Sequence, residues 1–258
     1  MDLSRAVTLE KPEKINPGGP SQKIRSAAKP AADPEPTSLL LKWLIVASGK
    51  GGTSKTTTTL NLATVAAASG LNVAVLDTDE QATLSKWHAR REIFRARHPE
   101  EAIPSIMLFS RPLSDLDKVT REIEATPGID LIIVDTPPGL EQRLLISKLI
   151  RRADFVLVPT SQSTADLESA EEFMSAATAF GNHAAFLLSR TNQRWGSYRV
   201  AKKLLNSVGD LCPVDVRDLR DIEATHDHGL GINEFGGKAK GSDDVESVWQ
   251  YVRKAMEI

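Results

Sequence analysis

Residues 49–57 read Gly-Lys-Gly-Gly-Thr-Ser-Lys-Thr-Thr, a glycine-rich segment that contains two lysines. An apolar run precedes it at residues 43–47, and a segment with helical composition follows it. Backbone N–H groups in a glycine-rich turn between a strand and a helix converge on an anion, and the positive end of the helix dipole adds to the attraction. In such a loop Lys55 reaches the β- and γ-phosphates of a nucleotide, and the hydroxyl of Thr56 can hold Mg²⁺. The stretch therefore predicts a phosphate-binding loop between a strand and a helix.

The loop carries a second lysine, Lys50, and one triphosphate rarely needs two lysines from the same loop. Its ammonium could instead serve the nucleotide of a neighbouring subunit. The residues predicted to contact nucleotide are those of the whole loop: Gly49, Lys50, Gly51, Gly52, Thr53, Ser54, Lys55, Thr56 and Thr57.

Two further segments follow this loop along the chain and complete a set of three motifs. Residues 73–81 read Val-Ala-Val-Leu-Asp-Thr-Asp-Glu-Gln, and residues 131–139 read Leu-Ile-Ile-Val-Asp-Thr-Pro-Pro-Gly. The three segments resemble the deviant Walker A motif, the second motif and the Walker B strand of the ParA/MinD family of P-loop ATPases. The resemblance covers roughly residues 43–256 and implies that ATP and Mg²⁺ are bound. Gln81 and the Asp-Thr-Pro-Pro sequence favour the ParA-type partition branch.

The alternation of apolar strands with helix-length segments predicts the fold class. The strands are expected near residues 43–48, 73–77, 104–109, 130–135, 154–159 and 184–189. Runs such as Leu131 to Val134 are apolar on consecutive positions, which is typical of strands buried on both faces. We therefore expect a doubly wound, mostly parallel α/β sheet with helices on both faces, and a ligand at the carboxyl ends of the strands.

Three aspartates follow two of these strands. The resemblance implies that Asp135 orients water on Mg²⁺, that Asp77 belongs to the metal shell, and that Asp79 positions the attacking water. The predicted metal ligands are thus Thr56, Asp77 and Asp135, and the predicted catalytic residues are Lys50, Lys55 and Asp79. As alternatives, Asp135 could be a turn residue, and Asp79 could form an Asx turn or cap a helix.

The chain departs from the motif patterns at two positions. Ser54 replaces the glycine of the general P-loop, so it either occupies a position that does not need positive φ or strains the loop slightly. Glu80 replaces the proline of the second motif and adds a negative charge beside the predicted water site.

Nonspecific DNA contact is predicted from basic residues in two segments. The candidates are Arg194, Arg199, Lys202, Arg217 and Arg220. In ParA relatives, arginines at the positions matching Arg194 and Arg220 bind DNA from the ATP dimer, and neutralising phosphates in this way makes binding salt-sensitive and independent of sequence. A solvated helix face is the alternative interpretation, and Asp218 and Asp221 dilute the positive field.

Composition limits the possible classes of protein. The 258 residues carry a net charge of only −2, so DNA affinity has to come from local clustering. The single cysteine, Cys212, excludes an internal disulfide and the paired ligands of a nitrogenase-type iron protein. No apolar run is long enough for a membrane span, so we expect a cytoplasmic protein. Residues 1–40 contain six prolines and few apolar clusters, which predicts a flexible tail before an ATPase domain at 41–258.

Three other segments invite functional interpretations. The basic run 86–97 is expected to form an exposed helix whose charged face is solvated, with DNA or partner docking as the alternative. His226 and His228 are expected in a loop without a metal site. Residues 243–256 could mimic the membrane-targeting helix of MinD, but their apolar stripe is more typical of a helix that packs on the core.

The predicted function is that of a ParA-type ATPase in plasmid or chromosome partition. Such a protein forms a homodimer on ATP, binds DNA nonspecifically, associates with the nucleoid, and is reset when a ParB-like partner stimulates hydrolysis. Two alternatives remain open: a related positioning ATPase for another cargo (a conjugation complex, a chemoreceptor cluster or the division site), and a nonenzymatic scaffold that binds DNA in an ATP-dependent way.

Overall fold

The computed structural model describes residues 40–139, 142–218, 220–235 and 239–258. They form a seven-stranded sheet with parallel pairing throughout and the strand order β3-β2-β4-β1-β5-β6-β7. The strands are β1 Lys42–Val46, β2 Val73–Asp77, β3 Met107–Ser110, β4 Leu131–Asp135, β5 Phe155–Thr160, β6 Ala184–Thr191 and β7 Val216–Arg217. The predicted tail lies outside the described residues apart from Leu40.

Eight α-helices surround this sheet in the described residues. They are α1 Lys55–Ala68, α2 Thr83–Arg97, α3 Leu116–Ala125, α4 Arg143–Arg152, α5 Thr164–Thr178, α6 Gly196–Val208, α7 Arg220–His228 and α8 Ser242–Ala255. Short 3₁₀ turns lie at Pro99–Glu101, Leu113–Asp115 and Ile232–Glu234. Helices α3 to α6 share one buried cluster with the sheet, and α1, α2, α7 and α8 share the other.

The apolar runs form strands because both of their faces are covered. In β4, Ile132 and Val134 belong to the cluster under α3 to α6, whereas Leu131 and Ile133 belong to the cluster under α1, α2, α7 and α8. Successive side chains of a strand point to opposite faces, so a strand between two helical layers must be apolar at every position. The predicted doubly wound fold is confirmed, and each of the six predicted strands is found within a few residues of its expected place.

The site is positioned by a reversal in the strand order. The chain leaves β1 toward β2 on one side of the sheet and leaves β4 toward β5 on the other, while β1 and β4 are themselves paired, with Val46 opposite Asp135. Crossovers that diverge in this way open a crevice at the carboxyl ends of the two strands. The glycine-rich loop and Asp135 both lie at this edge.

The apolar stripe predicted for residues 243–256 lies in helix α8 and its C-cap residue. Val245, Val248, Trp249, Val252 and Met256 are buried in the core beside α1, which supports the core-packing interpretation of α8.

The basic helix α2 is less exposed than expected, because Arg91 is fully buried and paired with Glu234. The loop prediction for His226 and His228 is wrong, since both lie in the last turn of α7. None of the helices in the described part of the chain has the length and hydropathy of a membrane span.

Candidate functional site

The glycine-rich loop is folded around one carbonyl oxygen. The oxygen of Lys50 accepts hydrogen bonds from Ser48 Oγ at 3.1 Å and from Thr53 Oγ1 at 3.4 Å, and the two hydroxyls are 2.6 Å apart. Gly52 has a φ of 76°, a left-handed conformation that glycine adopts without steric cost. The side-chain hydrogen bonds therefore fix the loop around Lys50 before any anion is present.

Ser54, which replaces a glycine of the general pattern, has a φ of 71° and a ψ of 23°. Its position therefore does require a left-handed backbone, which costs a residue with a Cβ about 1 kcal/mol or more. Ser54 precedes α1 but makes no capping hydrogen bond with its side chain. The backbone strain at Ser54 is thus not offset by a capping hydrogen bond from its side chain.

Lys55 is buried in the loop, and its Nζ donates to the backbone oxygen of Lys50 at 3.0 Å. Burial lowers the pKa of this ammonium, and the nearby carboxylates of Asp135 and Asp79 oppose the shift. An anion bound in the loop would favour the charged form of Lys55, as these two carboxylates do.

The carboxylate of Asp135 is buried at the end of β4 and is only partly satisfied. Thr56 Oγ1 donates to Asp135 Oδ2 at 2.6 Å, whereas Oδ1 is buried without a hydrogen-bond partner. Burial raises the pKa of Asp135 to about 7, and Asp77 adds to the rise. A buried carboxylate oxygen without a donor is costly unless a cation completes its environment.

This pair fits Mg²⁺ better than a metal held by protein alone. The described residues contain no cluster of three or more His, Cys, Asp or Glu side chains that could hold a metal ion. Mg²⁺ is commonly held by one or two protein oxygens together with waters and substrate phosphates. Thr56 and the free oxygen of Asp135 supply that small donor set beside the loop.

Asp77, a predicted metal ligand, has both of its carboxylate oxygens in hydrogen bonds. Its Oδ2 accepts from the backbone N and the hydroxyl of Ser85 at 2.8 and 2.6 Å, and its Oδ1 accepts from the N–H of Asp79. Ser85 lies in the first turn of α2, so the carboxylate caps that helix from the neighbouring strand. Asp77 thus fixes the segment between β2 and α2, and its role in the metal shell, like those of Asp135 and Thr56, stays a prediction.

Asp79 forms the Asx turn that was the alternative to its predicted catalytic role. Its Oδ1 accepts from the N–H of Gln81 at 3.0 Å, which forms an Asx turn. The residue also lines the cavity that begins at the loop. The turn fixes the direction of the carboxylate, which leaves Asp79 facing the space beside Lys55 and Thr56.

Lys50 extends away from the loop toward another element. Its Nζ lies 2.6 Å from Oδ1 of Asp166 in the first turn of α5. Burial raises the pKa of Asp166, but hydrogen bonds from Lys50, Ser161 and Ser163 outweigh it, so the pKa is lowered overall. Lys50 therefore forms an ion pair within its own chain.

The cavity at the loop has a volume of about 310 Å³ and continues past α1 to the ends of β6 and β7. Its wall is apolar along one stretch: Leu187, Val216, Ile222, Val245 and Val248. Its lining also includes the polar residues Ser189, Arg190 and Asp218. A phosphate-binding end and an apolar wall suit a nucleotide whose base lies away from the loop.

Comparison with known proteins agrees with this geometry. The profile of the CobQ/CobB/MinD/ParA nucleotide binding domain matches residues 44–248. The chain belongs to this family.

One relative in the family is the maintenance of carboxysome distribution protein A of Gloeobacter kilaueensis, 28% identical over 226 residues that cover 86% of this chain and 96% of that protein. The chromosome-partitioning ATPase Soj of Thermus thermophilus is 28% identical over 146 residues, or 50% of this chain and 58% of Soj. The septum site-determining protein MinD of Pyrococcus horikoshii, solved with Mg-ADP, superposes with a TM-score of 0.67 over 83% of this chain and 97% of that one. Its 18% identity shows a shared fold.

Three of the basic residues predicted to contact DNA lie in α6 or just before it, and the other two lie in β7 and at the start of α7. Arg194 and Arg199 are exposed at the start of α6, and Arg220 is exposed at the start of α7. Lys202 is half-buried, with its Nζ 3.8 Å from Asp215. Arg217 donates Nε and Nη2 to the two oxygens of Asp244 at 2.8 and 3.0 Å, so a phosphate would have to compete with that carboxylate.

Sequence reasoning missed two parts of this member's site. Asp166 lies 116 residues from its partner Lys50, and no local pattern connects them. Ser189 and Arg190 lie near the end of the mostly apolar strand β6, and only the fold brings them to the cavity. The pairing of β6 with β7 has a register shift between Ser189 and Thr191, where Arg190 has a φ of 53°.

Proposed function

We propose that this protein is a ParA-type ATPase that dimerises on ATP and uses the ATP cycle to position cargo on DNA. The observation that carries the proposal is the set Lys55, Thr56 and Asp135, in which Thr56 of the loop is bonded to a buried carboxylate whose other oxygen has no partner. ParA-type partition of a plasmid or chromosome is the version that the Gln81 and Asp-Thr-Pro-Pro features favour.

The loop would hold the triphosphate, and each side chain would then have a separate task. The N–H groups of Gly51 to Thr57 would bind the phosphate oxygens, and Lys55 would exchange the carbonyl of Lys50 for the β- and γ-phosphates. Thr56 and Asp135 would hold Mg²⁺, which neutralises charge on the phosphates. Asp79, held by its Asx turn, would orient the attacking water.

Lys50 would complete the charge balance on the nucleotide of a second copy. In the single chain its ammonium is bound to Asp166, half exposed, and outside the cavity of its own loop. Charge supplied in trans is effective in phosphoryl transfer because the transition state spreads negative charge over the γ-phosphoryl oxygens. Hydrolysis by isolated chains would accordingly be slow.

The ATP dimer would bind DNA nonspecifically through Arg194, Arg199 and Arg220, and a ParB-like partner would stimulate hydrolysis and release it. The exposed guanidinium groups support this proposal, because phosphate neutralisation needs cations that are free to meet the backbone. Association with the nucleoid would follow from such binding.

The experiment is an ATPase assay of the full chain with Mg²⁺, alone, with duplex DNA, and with DNA plus a ParB-like centromere-binding protein. We expect slow turnover that rises when both are present. Asp135→Asn should remove Mg²⁺-dependent turnover, whereas Asp154→Asn, which changes an aspartate paired with Lys42 at the opposite edge of the sheet, should leave it unchanged. The absence of turnover under all conditions would support the nonenzymatic scaffold instead.

A second candidate is a positioning ATPase for another cargo. It is favoured by the relative that is named for carboxysome distribution, since that similarity covers 86% of this chain. Fold and site are common to both candidates, so cargo has to be identified separately. Purification of the ATP-bound protein with its partner, followed by a test for a centromere-like DNA sequence in the complex, distinguishes partition from the alternative.

A further inference from the structure

The turn and helix at residues 191–209 carry charged side chains of positive sign only. The segment contains four cations, Arg194, Arg199, Lys202 and Lys203, and it contains no aspartate or glutamate. The chain as a whole has a net charge of −2, so this local excess is not a consequence of overall composition. Such a surface is complementary to a polyanion.

An exposed tryptophan lies at the start of this surface. Trp195 is 61% exposed, whereas the other three tryptophans of the chain, Trp43, Trp87 and Trp249, are buried. Trp195 precedes the first turn of α6, and Arg199 and Lys203 follow at intervals of four residues. Residues four apart are neighbours on one face of a helix, so the indole, a guanidinium and an ammonium form a single stripe.

The indole is carried on a rigid support. Asn192 Oδ1 accepts from the N–H of Arg194 at 3.1 Å, and the N–H of Asn192 donates to Gln162 Oε1. Gln162 Nε2 also donates to Ser197 Oγ at 3.0 Å. The turn that carries Trp195 is thus bonded to the loop after β5 on both of its sides.

A buried aspartate fixes the other side of the same helix. Asp215 accepts from Thr191 Oγ1 at 2.6 Å and from the hydroxyl of Tyr198 at 2.8 Å, and it lies near Lys202. These contacts hold Tyr198 and Lys202 inward, which leaves Trp195, Arg199 and Lys203 as the outward stripe. Because the backbone that carries Trp195 is already held in place, binding has to order only the indole side chain.

We propose that this stripe binds single-stranded nucleic acid, with Trp195 stacked on an unpaired base and the cations of the stripe on the adjoining phosphates. An exposed indole flanked by cations matches the combination of aromatic platforms and basic grooves that binds single strands without sequence preference. In a duplex the bases are already stacked and paired, so the face of the indole has no base to meet. The proposal rests on the proposed DNA-binding function and specifies the form of DNA that this surface prefers.

The test uses tryptophan fluorescence of the full chain with ATP and Mg²⁺. The probes are an oligothymidylate of about 15 nucleotides, which suits typical site sizes, and a duplex of the same length. Because the other three tryptophans are buried, contact quenching by a stacked base reports mainly on Trp195. We expect quenching by the single strand and little quenching by the duplex.

Three variants assign the effect to stacking. Measured by the fluorescence anisotropy of a labelled oligonucleotide, Trp195→Ala should weaken single-strand binding by about fivefold or more and leave duplex binding unchanged, and Trp195→Phe should restore part of the loss. Arg199→Gln should weaken binding of both forms and reduce its salt dependence. Lys118→Gln on α3 and Phe180→Ala, an exposed cation and an exposed aromatic outside the stripe, are the matched controls.

Two outcomes would overturn this inference without affecting the proposed function. The first is equal binding of both DNA forms that is insensitive to Trp195→Ala. The second is a loss of ATP-dependent self-association in that variant, which would mean that a second copy covers the indole. If neither DNA form binds, the DNA-binding part of the proposed function fails together with the inference. Quenching by single strands in the native protein, together with weaker binding of a labelled single strand by Trp195→Ala, supports the inference even if duplex binding is absent.

Discussion

Lys50 Nζ lies 2.6 Å from Oδ1 of Asp166, so the lysine that is proposed to act on a second subunit is bound within its own chain. Asp166 also accepts from Ser161 Oγ at 2.6 Å, which orients its carboxylate toward the loop. Dimerisation as proposed requires this ion pair to open. The pair is therefore a small barrier between the single chain and the dimer.

Asp166→Asn should ease that opening. Lys50 is 45% exposed, so the pair contributes no more than about 1 kcal/mol. Removal of the charge is accordingly expected to tighten ATP-dependent self-association by up to about fivefold. Sedimentation with a nonhydrolysable ATP analogue measures the effect.

Asp117→Asn is the matched control for this substitution, because Asp117 also lies in the first turn of a helix and also pairs with a lysine, Lys148, at 3.1 Å. It should leave self-association unchanged. Weaker association of Asp166→Asn would mean that Asp166 makes contacts across the dimer, and the barrier interpretation would then be wrong.

Lys50→Ala should separate binding from hydrolysis. The Nζ of Lys50 points to Asp166 rather than into the cavity, so ATP binding by the single chain should be largely retained. Partner-stimulated hydrolysis should fall by about 10²-fold or more, because a charge at the transition state is lost. Single-turnover assays and equilibrium binding of a fluorescent nucleotide measure the two effects, and Lys118→Ala is the control. Survival of stimulated turnover would exclude the role across the dimer.

Glu234→Gln should destabilise the fold strongly. Arg91 is fully buried and donates Nη1 and Nη2 to the two oxygens of Glu234 at 2.6 and 2.7 Å. Loss of one partner of a buried ion pair leaves an uncompensated charge, which costs about 3 kcal/mol. A Cβ on Gly229 would overlap the backbone nitrogen of Arg91, so the chain around the pair has little room to adjust.

Urea denaturation at neutral pH measures this cost. Glu92→Gln is the control, because Glu92 pairs with Arg95 on the exposed side of the same helix and should contribute less than about 0.5 kcal/mol. The double replacement Arg91→Met with Glu234→Met should recover much of the stability, since it removes both charges. A small effect of Glu234→Gln alone would show that water reaches Arg91.

The sequence was sufficient for those parts of the fold and site that are encoded locally. Strands such as β4 were predictable because burial on two faces requires apolar residues at every position, and the phosphate loop was predictable because its glycines, lysines and hydroxyls are contiguous. The hydroxyl of Thr56 and the carboxylate of Asp135 come together because β1 and β4 are paired.

Other features depend on partners that are distant in the sequence. Arg91 belongs to a basic run that resembles a solvated surface, and its burial depends on Glu234, 143 residues later. Asp77 lies at the end of its strand, close to Asp79, as a metal ligand would. However, its Oδ2 accepts hydrogen bonds from Ser85 of the following helix. The two residues of β7 are too few to produce a periodic pattern.

Ser54→Gly should stabilise the protein. Ser54 has a φ of 71° and makes no side-chain capping bond, so glycine relieves backbone strain without the loss of a contact. The expected gain in the free energy of unfolding is about 1 kcal/mol, reduced by the greater entropy of glycine in the unfolded chain. Chemical denaturation of the nucleotide-free protein measures it.

The same substitution at another N-cap is expected to have the opposite sign. Ser163 caps α5 with a φ of −79°, and its side chain accepts from the N–H of Asp166. Ser163→Gly should therefore cost a few tenths of a kcal/mol or more. If both variants lost stability, the hydroxyl of Ser54 would have a role in the loop that outweighs its strained backbone.

His226→Gln should remove an acid sensitivity of the fold. Arg90 Nη2 lies 3.0 Å from His226 Nδ1, and because a guanidinium only donates, Nδ1 accepts and the neutral ring carries its hydrogen on Nε2. Burial lowers the pKa of His226, and Arg90 lowers it further, while Asp227 opposes the shift. The folded state therefore disfavours the imidazolium form of His226. The contribution of the neutral ring to folding stability is fully present above the unfolded pKa of about 6.5. It is lost as the pH falls from about 6.5 toward the lowered pKa of the folded state.

Thermal unfolding of the nucleotide-free protein at intervals from neutral to mildly acidic pH measures this loss. The glutamine side chain can accept from Arg90 but does not titrate, so His226→Gln should lose less stability than the native protein over the range. His228→Gln is the control, because His228 is exposed in the same turn and stacks on Phe235. It should keep the acid-dependent loss, and an equal loss in all three proteins would assign the sensitivity to other groups.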